Sequence, residues 1–443
     1  MTKHTHELRD PIHAFVRLTT DERKVLDSRP FQRLRQIHQL ALTYLVYPGA
    51  THRRFEHSLG VMELAGRVFD VITQPENLTD TVRDLLPELS SDTKRGYWRQ
   101  VVRMAALCHD IGHLPFSHAA EKELLPEGKT HEDLTSLLVQ STEMAPLWDD
   151  MNIRPKHVAK LALGPKEMRE ETFSAWETIL SEIIVGDAFG VDRMDYLLRD
   201  SLHTGVAYGR FDHFRLVDTL RILPMPPSGD GDDEESEALG LGIEVGGIQS
   251  AEALLLARYF MYSQVYFHAI RRIYDIHLRD FMIQWLAPDG YPFEVDGHLG
   301  LTDVEVLAAL RAAERNSGAK GHEAAHSILC RAHFRPIYFR NPADTSINPE
   351  AGAALLSALA DQFEPAHFRR DRYPQKAGAP NFPVLLHDGQ ISSSLALSTV
   401  LQNLPLVSVD TIYAAPHIRA ASAKWLNKHR SELLRPDSEE DSQ

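Results

Sequence analysis

The sequence predicts a mainly α protein, with an all-helical core over residues 1–290 and a smaller C-terminal α+β lobe over 291–443. Three observations carry this reading. Apolar residues recur at helical spacing through most of the chain between residues 28 and 284. Near residue 290 the character changes, with Gly290, Pro292 and Gly297 punctuating the pattern. Beyond that point helical and strand-like runs alternate, the mark of a mixed lobe. The chain's 443 residues exceed the usual single-core size, so one large domain with an appended lobe, or two domains, is expected, and its 43% hydrophobic content is enough to build a sizeable core.

The elements follow in order. Ser28-Arg29-Pro30 opens a helix expected across 28–46, with Phe31, Leu34 and Ile37 on its inner face. Over 57–73, Phe55, Leu59, Met62, Gly66 and Phe69 mark one apolar stripe, and Val61, Leu64 and Val68 mark a second that contains His57. A helix apolar on both sides is interior, so His57 is expected inside the protein. Over 98–114, Trp98, Val102, Ala105 and Ala106 share a stripe with His109. Further helices are expected at 131–141, 174–185, 191–203 and 248–284. In the 191–203 segment Asp192, Tyr196 and Asp200 share one face at i, i+4 and i+8. The plainer reading of that segment is a solvated face laced by an Asp195–Arg199 ion pair. A short strand is expected at Leu241–Val245. The lobe should hold helices at 302–313, 321–332 and 350–362 and strands at Val384–Leu386 and Leu406–Tyr413. No internal repeat is present.

The densest chemistry lies at His109-Asp110-Ile111-Gly112-His113 and Pro115-Phe116-Ser117-His118. A buried carboxylate beside a buried imidazole needs a partner, because an unpaired buried charge is costly. A divalent metal is a natural one, since Fe, Mn, Zn and Ni all accept imidazole and carboxylate ligands. The bland alternative is a hydrogen-bonded core histidine next to a helix-ending aspartate. Cys108 reads as a small buried hydrophobe rather than a ligand. Cys108 and Cys330 stand far apart, which suggests a reducing compartment rather than a disulfide framework.

Charge narrows the partners. A formal net charge of −15 disfavours broad nucleic-acid binding, which rests on neutralising phosphates with Lys and Arg. It leaves room for a nucleotide, which needs only a local basic pocket. Much of the acidic excess sits in a surface-loop insertion at about 224–240 and in the tail 436–443. No run of 18 apolar residues exists and residues 1–7 lack the apolar segment of a leader, so a cytoplasmic location without membrane attachment is expected.

The order His57, His109-Asp110, Asp192 resembles that of the HD-domain metal phosphohydrolases. The chain further resembles the SAM-and-HD-domain dNTP triphosphohydrolases and their bacterial relatives. The likeness extends through Gln39, Tyr47-Pro48-Gly49-Ala50, Arg54-Phe55-Glu56-His57-Ser58-Leu59-Gly60-Val61, Asp192-Arg193-Met194-Asp195-Tyr196 with Arg199-Asp200, and the Arg258–His268 run. The resemblance implies that His57, His109, Asp110 and Asp192 hold one tightly bound divalent metal (Fe, Mn, Zn or Ni), with additional Mg²⁺ at the phosphates. It implies that His113, one turn beyond His109 on an assumed common helix, contacts the scissile phosphate. His118 would protonate the departing ribose 5′-oxygen, oriented by Glu121 and His131, although the family usually carries Asp where Glu121 stands. Arg54, Arg193 and Arg258 would bind phosphates, with Arg193 replacing a lysine of better-known relatives. Gln39, Tyr196 and Asp200 would hold the sugar 3′-hydroxyl, and Tyr266 would pack under the deoxyribose 2′ carbon. His268, Arg271 and Arg272 take no assigned role.

The implied activity is hydrolysis of dNTPs to deoxynucleoside and inorganic triphosphate, in nucleotide-pool control or antiviral defence. The implied assembly is a homotetramer or larger even-numbered oligomer, with an allosteric nucleotide as a further partner. The mixed aromatic and basic run Tyr259–Arg272, continuing to Arg279, has the composition of a contact surface. Two other classes stay open: another HD-type nucleotidase, phosphodiesterase or nuclease, and a nonenzymatic nucleotide-sensing HD scaffold.

Overall fold

A computed structural model describes residues 5–117, 121–225, 238–374 and 379–435. These fall into two compact units that interleave along the chain. The first is drawn from residues 1–261, 291–304 and 378–404, the second from 262–290, 305–377 and 405–443. The units therefore do not divide at 290/291: residues 262–290 pack with the second, while 291–304 and 378–404 return to the first. His118, most of the acidic insertion and the acidic tail lie outside the described residues.

The first unit is a helical bundle built round Arg54–Ile72, which packs against Asp92–Cys108 and Val191–Thr204. Glu56 at its third position accepts the Arg53 backbone N–H at 2.8 Å, closing its first turn. Gly60 lies where it crosses the Asp192 helix, and a Cβ there would overlap the Asp195 and Arg199 side chains. His131–Val139, Pro155–Glu167 and Ala175–Val185 complete the bundle around the same centre. An antiparallel hairpin of β1 (Thr5–Asp10) and β2 (Ala14–Thr19), not anticipated, precedes it. β3 (Leu220–Pro224) and β4 (Leu239–Glu244) pair antiparallel. The sheet continues through β7 (Pro383–Leu385) and β8 (Ile391–Ser393) in the order β3-β4-β7-β8.

Three helices expected to be continuous are broken. The 28–46 segment forms only Arg29–Arg33 and two 3₁₀ turns, Leu34–Gln36 and Ala41–Leu45. Asp303 captures both the His38 backbone N–H (2.7 Å) and its ring Nδ1 (2.6 Å), pulling this residue out of helical geometry. The 98–114 segment ends at Cys108, and His109–His113 form a tight turn instead of a further helical turn. Thr135 pins that turn, its Oγ1 accepting from Gly112 N at 3.1 Å and donating to His109 O at 3.2 Å. A Cβ at Gly112 would collide with the His131 and Thr135 backbone, so the turn requires glycine. The 248–284 segment splits into Ile248–Met261, a π turn at Tyr262–Tyr266 and Ala269–Leu286, and the break coincides with the division between units.

The second unit carries β5 (Arg335–Phe339), β6 (Phe368–Tyr373) and β9 (Val409–Ala414) in an antiparallel sheet ordered β5-β9-β6. Tyr338, Leu355, Leu359, Phe368, Ile412 and Leu426 form a core between this sheet and the helices Ala351–Gln362 and Arg419–Leu433. The protein is thus mainly α, with small sheets. Among the described residues no helix is long and apolar enough to cross a membrane.

Candidate active site

Three helices of the first unit converge on one buried cluster. His57 comes from the middle of its helix, His109 and Asp110 from the end of Asp92–Cys108, and Asp192 from the first turn of Val191–Thr204. His57 Nε2 lies 3.0 Å from Asp192 Oδ1 and 3.7 Å from Asp110 Oδ2. His109 Nε2 lies 3.3 Å from Asp110 Oδ1 and 3.4 Å from Asp192 Oδ1. This buried nitrogen meets neither in hydrogen-bond geometry. One donor atom from each of His57, His109 and Asp110 falls within 4.8 Å of the others. Both imidazoles spend their Nδ1 elsewhere, His57 on Asp195 Oδ2 (2.8 Å) and His109 on Ala106 O (2.8 Å). That leaves each Nε2 to face the cluster, the arrangement a metal-ligating histidine needs.

Asp195 is itself fixed. Arg199 donates to both its oxygens at 2.8 and 2.9 Å, His13 Nε2 lies 2.7 Å away, and Arg199 reaches Asp10 Oδ2 at 2.9 Å. Arg199 and Asp195 are fully buried, so the expected solvated ion pair is an interior network. Burial opposes charge on His57, yet hydrogen bonds to Asp192 and Asp195 outweigh it and raise its pKa to about 10. His109 is likewise raised against burial by Asp110 and Asp192. Burial works against ionised Asp192, but the adjacent His109 imidazole and the hydrogen bond with His57 hold it below the usual carboxylate range. A cluster that draws protons onto two buried imidazoles favours positive charge, and a divalent cation supplies that charge with the donor atoms already grouped. The residues fit a metal.

A second group adjoins the first. His113 Nε2 lies 3.1 Å from Asp110 Oδ1, and its ring stacks on His131 with centroids 3.9 Å apart. Burial, the Arg54 guanidinium and His131 keep the His113 pKa well below its ordinary value, although Asp110 opposes them. His131 Nδ1 lies 2.8 Å from Glu121 Oε1 and 3.0 Å from Glu132 Oε2. Arg54 pairs with Asp110 and donates to Ser117 Oγ at 3.1 and 2.7 Å. Beside these groups opens a cavity of about 700 Å³ whose wall includes Gln39, Arg54, His109, Asp110, His113, His131, Asp192 and Tyr196. Gln39 Oε1 is a buried acceptor with no hydrogen-bond partner among the described residues, so a ligand donor would satisfy it.

Residues 54–198 match the HD domain model, and residues 211–339 match the HD associated region. The chain belongs to the HD-domain phosphohydrolase family. It is similar to an uncharacterised protein of Methanocaldococcus jannaschii, 34% identical over 69% of this chain and 55% of the relative. It is 32% identical to the uncharacterised Bacillus subtilis protein YwfO over 64% of this chain and 57% of that one. The human deoxynucleoside triphosphate triphosphohydrolase SAMHD1 is 33% identical over 48% of this chain and 36% of its own length. The chain thus spans a third to just over half the length of these curated relatives. The crystal structure of a hypothetical protein from Aquifex aeolicus superposes with a TM-score of 0.76 at 30% identity, covering 95% of this chain and 100% of that one.

Not every expected residue of the HD site reaches the cavity wall. His57 stands behind it, while Glu121 touches it through His131. Arg193 Nη1 donates to the backbone carbonyls of Gly186 (2.9 Å) and Asp187. Asp200 is buried with His52 Nε2 2.6 Å from its Oδ1. Arg258 acts electrostatically on Asp187, which lines the cavity. Tyr266 belongs to the second unit, where its ring meets Tyr262 edge-on and its carbonyl accepts from Arg271. His113 reaches Asp110 from the turn after the helix, not from the helix face that its spacing suggested. Asp195, Arg199, His13, Thr135 and Glu132 were not singled out as site residues. Asp195 and Arg199 stood within the resembling motif and were marked by their four-residue spacing, whereas His13, Thr135 and Glu132 carried no signal.

Proposed function

We propose that this HD-domain protein hydrolyses deoxynucleoside triphosphates to deoxynucleoside and inorganic triphosphate. His57, His109, Asp110 and Asp192 would hold one divalent metal, Fe, Mn, Zn or Ni, with additional Mg²⁺ at the phosphates. The observation that carries the reading is the pair of locked imidazoles: two buried Nε2 atoms facing two carboxylates at the edge of a cavity that also bears Arg54 and His113. When bound, the metal would supply Lewis acidity toward a phosphate ester.

The chain's own residues would do the rest. Arg54 is a fixed guanidinium beside Asp110, suited to oxygens of a bound phosphate. His113, kept neutral by burial and Arg54, offers a hydrogen bond to phosphate without adding charge. His118 would donate the proton to the departing 5′-oxygen, and the Glu121–His131 pair would orient it. Gln39 and Tyr196 would take the sugar 3′ edge with Asp200 behind them. Arg193 and Arg258 would bind the outer phosphates, and Tyr266 would exclude a 2′-hydroxyl. The likeness to human SAMHD1, a deoxynucleoside triphosphate triphosphohydrolase, supports the dNTP as substrate. An allosteric nucleotide, an even-numbered homo-oligomer and a role in nucleotide-pool control or antiviral defence belong to the same proposal. Incubation with each dNTP, with and without chelator, tests it. Equal amounts of deoxynucleoside and triphosphate, lost on chelation, are expected. Primary formation of dNMP with pyrophosphate, or dNDP with orthophosphate, would refute the assignment.

A further inference from the structure

Remote in sequence from the HD residues, the second unit places a thiol, an imidazole and a carboxylate together at its surface. Helix Asp303–Glu314 ends on Glu314, and helix His322–Leu329 carries His326 and runs into Cys330. The Cys330 N–H donates to His326 O at 2.9 Å, so the cysteine caps the helix one turn beyond His326 and the two side chains stand on the same side. Cys330 Sγ lies 3.4 Å from Glu314 Oε1, and His326 Nδ1 lies 3.7 Å from the same oxygen. One donor atom from each residue falls within 4.8 Å of the other two. A tetrahedral zinc with ordinary Zn–S, Zn–N and Zn–O lengths separates its ligand atoms by about 3.3–3.6 Å. The observed spacings need only small side-chain adjustments to reach that geometry. The frame is fixed by His322, whose Nδ1 lies 3.0 Å from Ala313 O and ties the start of one helix to the end of the other. Glu314 forms no ion pair with Lys or Arg among the described residues, so its charge is not already spent.

We propose that Glu314, His326 and Cys330 form a second, surface metal site for a thiolate-seeking divalent ion of the Zn²⁺ class, separate from the HD centre. Binding displaces the Cys330 thiol proton and leaves a coordination position open to solvent or to an external donor. The donor set contains sulfur, so it selects Zn²⁺ or Co²⁺ over Mg²⁺ or Ca²⁺.

Co²⁺ is the probe, titrated into the full chain. A thiolate-to-cobalt charge-transfer band reports cysteine ligation and is silent at a centre built only of His and Asp. The wild type should develop the band to a plateau. Cys330→Ser should remove it, and His326→Ala and Glu314→Gln should weaken Co²⁺ at this site by roughly tenfold or more. All three variants should keep the metal of the HD centre and the wild-type rate of hydrolysis. Absence of the band in the wild type overturns the proposal. So does a band that survives Cys330→Ser, which would assign it to Cys108, or a titration curve unchanged by His326→Ala.

Discussion

His57 can offer Nε2 to a cation only while its other nitrogen keeps a proton, and Asp195 is the group that holds that proton. Asp195→Asn keeps the shape but removes the negative charge that makes the ring a strong donor. Metal affinity should fall by about 10–100-fold. Arg199 then faces a neutral amide in a dry site, and stability should fall by about 3 kcal/mol. Elemental analysis after dialysis, paired with a denaturant melt, measures both, and full metal retention would contradict the role assigned to Asp195. His109→Ala should empty the centre and stop turnover while the fold persists. His118→Ala should keep the metal and cut hydrolysis by roughly a hundredfold, the usual scale of general-acid catalysis. The gathering of His57, His109 and Asp110 was legible only through the family resemblance, because a buried His-Asp pair alone also reads as hydrogen-bonded core. Asp195 and Arg199 were misjudged for a physical reason: a four-residue charge spacing is the same on a wet face and in a sealed core.

At the scale of elements, the site depends on how closely two helices approach. Gly60 is the contact point of the His57 and Asp192 helices, so Gly60→Ala should push Asp195 and Arg199 aside. The expected cost is about 1–3 kcal/mol, seen as a lowered denaturant midpoint at unchanged slope, with weaker metal retention because the His57 anchor moves. An unchanged midpoint would mean that the crossing relaxes without strain. Periodicity located most helices, since burying an apolar stripe is a local demand. Their interruptions were not local. The 28–46 helix breaks because Asp303, 265 residues away, captures His38. The 98–114 helix stops where Thr135 takes over the backbone groups of the following turn. β5 and β6 were missed because each is short and becomes a strand only by pairing with β9.

For the whole molecule, acid response follows from buried neutral histidines. Burial lowers the pKa of His213, His277 and His333 to about 4 and of His298 to about 2. In the unfolded chain these rings titrate near 6.5. Between the two values the unfolded state binds more protons, so stability rises with pH there. Their contribution is complete above roughly pH 6.5 and is lost as pH falls toward 4. His57 slopes the other way in the metal-free protein, its contribution complete below its unfolded pKa and fading as pH rises through about 10. Thermal melts of the metal-free chain from about pH 6.5 down to pH 4 should show a falling midpoint, and His277→Gln should flatten that fall. A midpoint independent of pH in this range would contradict it.

The structure changes the basis on which an assembly is expected. The arginines that suggested a contact surface are engaged inside the second unit: Arg271 with Asp275 at 3.2 Å, Arg272 with Asp371 at 2.8 and 2.6 Å, and Arg279 with Asp280 at 3.1 Å. Their composition therefore no longer asks for a partner. What does is the edge of the β5-β9-β6 sheet. Among the described residues β5 pairs with β9 alone; its Phe339 is 57% exposed, and Ile347 of the following helix is 55% exposed. An uncovered edge strand bearing a large apolar side chain is a liability that native proteins cover. A homotetramer or larger even-numbered assembly would do so. Light scattering of the 50.0 kDa chain, with and without mixed dNTPs, should give a multiple of that mass in at least one condition. Phe339→Glu should shift the protein toward smaller species without loss of the HD-centre metal. A monomer in both conditions, with hyperbolic kinetics for every dNTP, would leave the edge exposed in the working protein and remove both the assembly and the second-nucleotide control from the proposal.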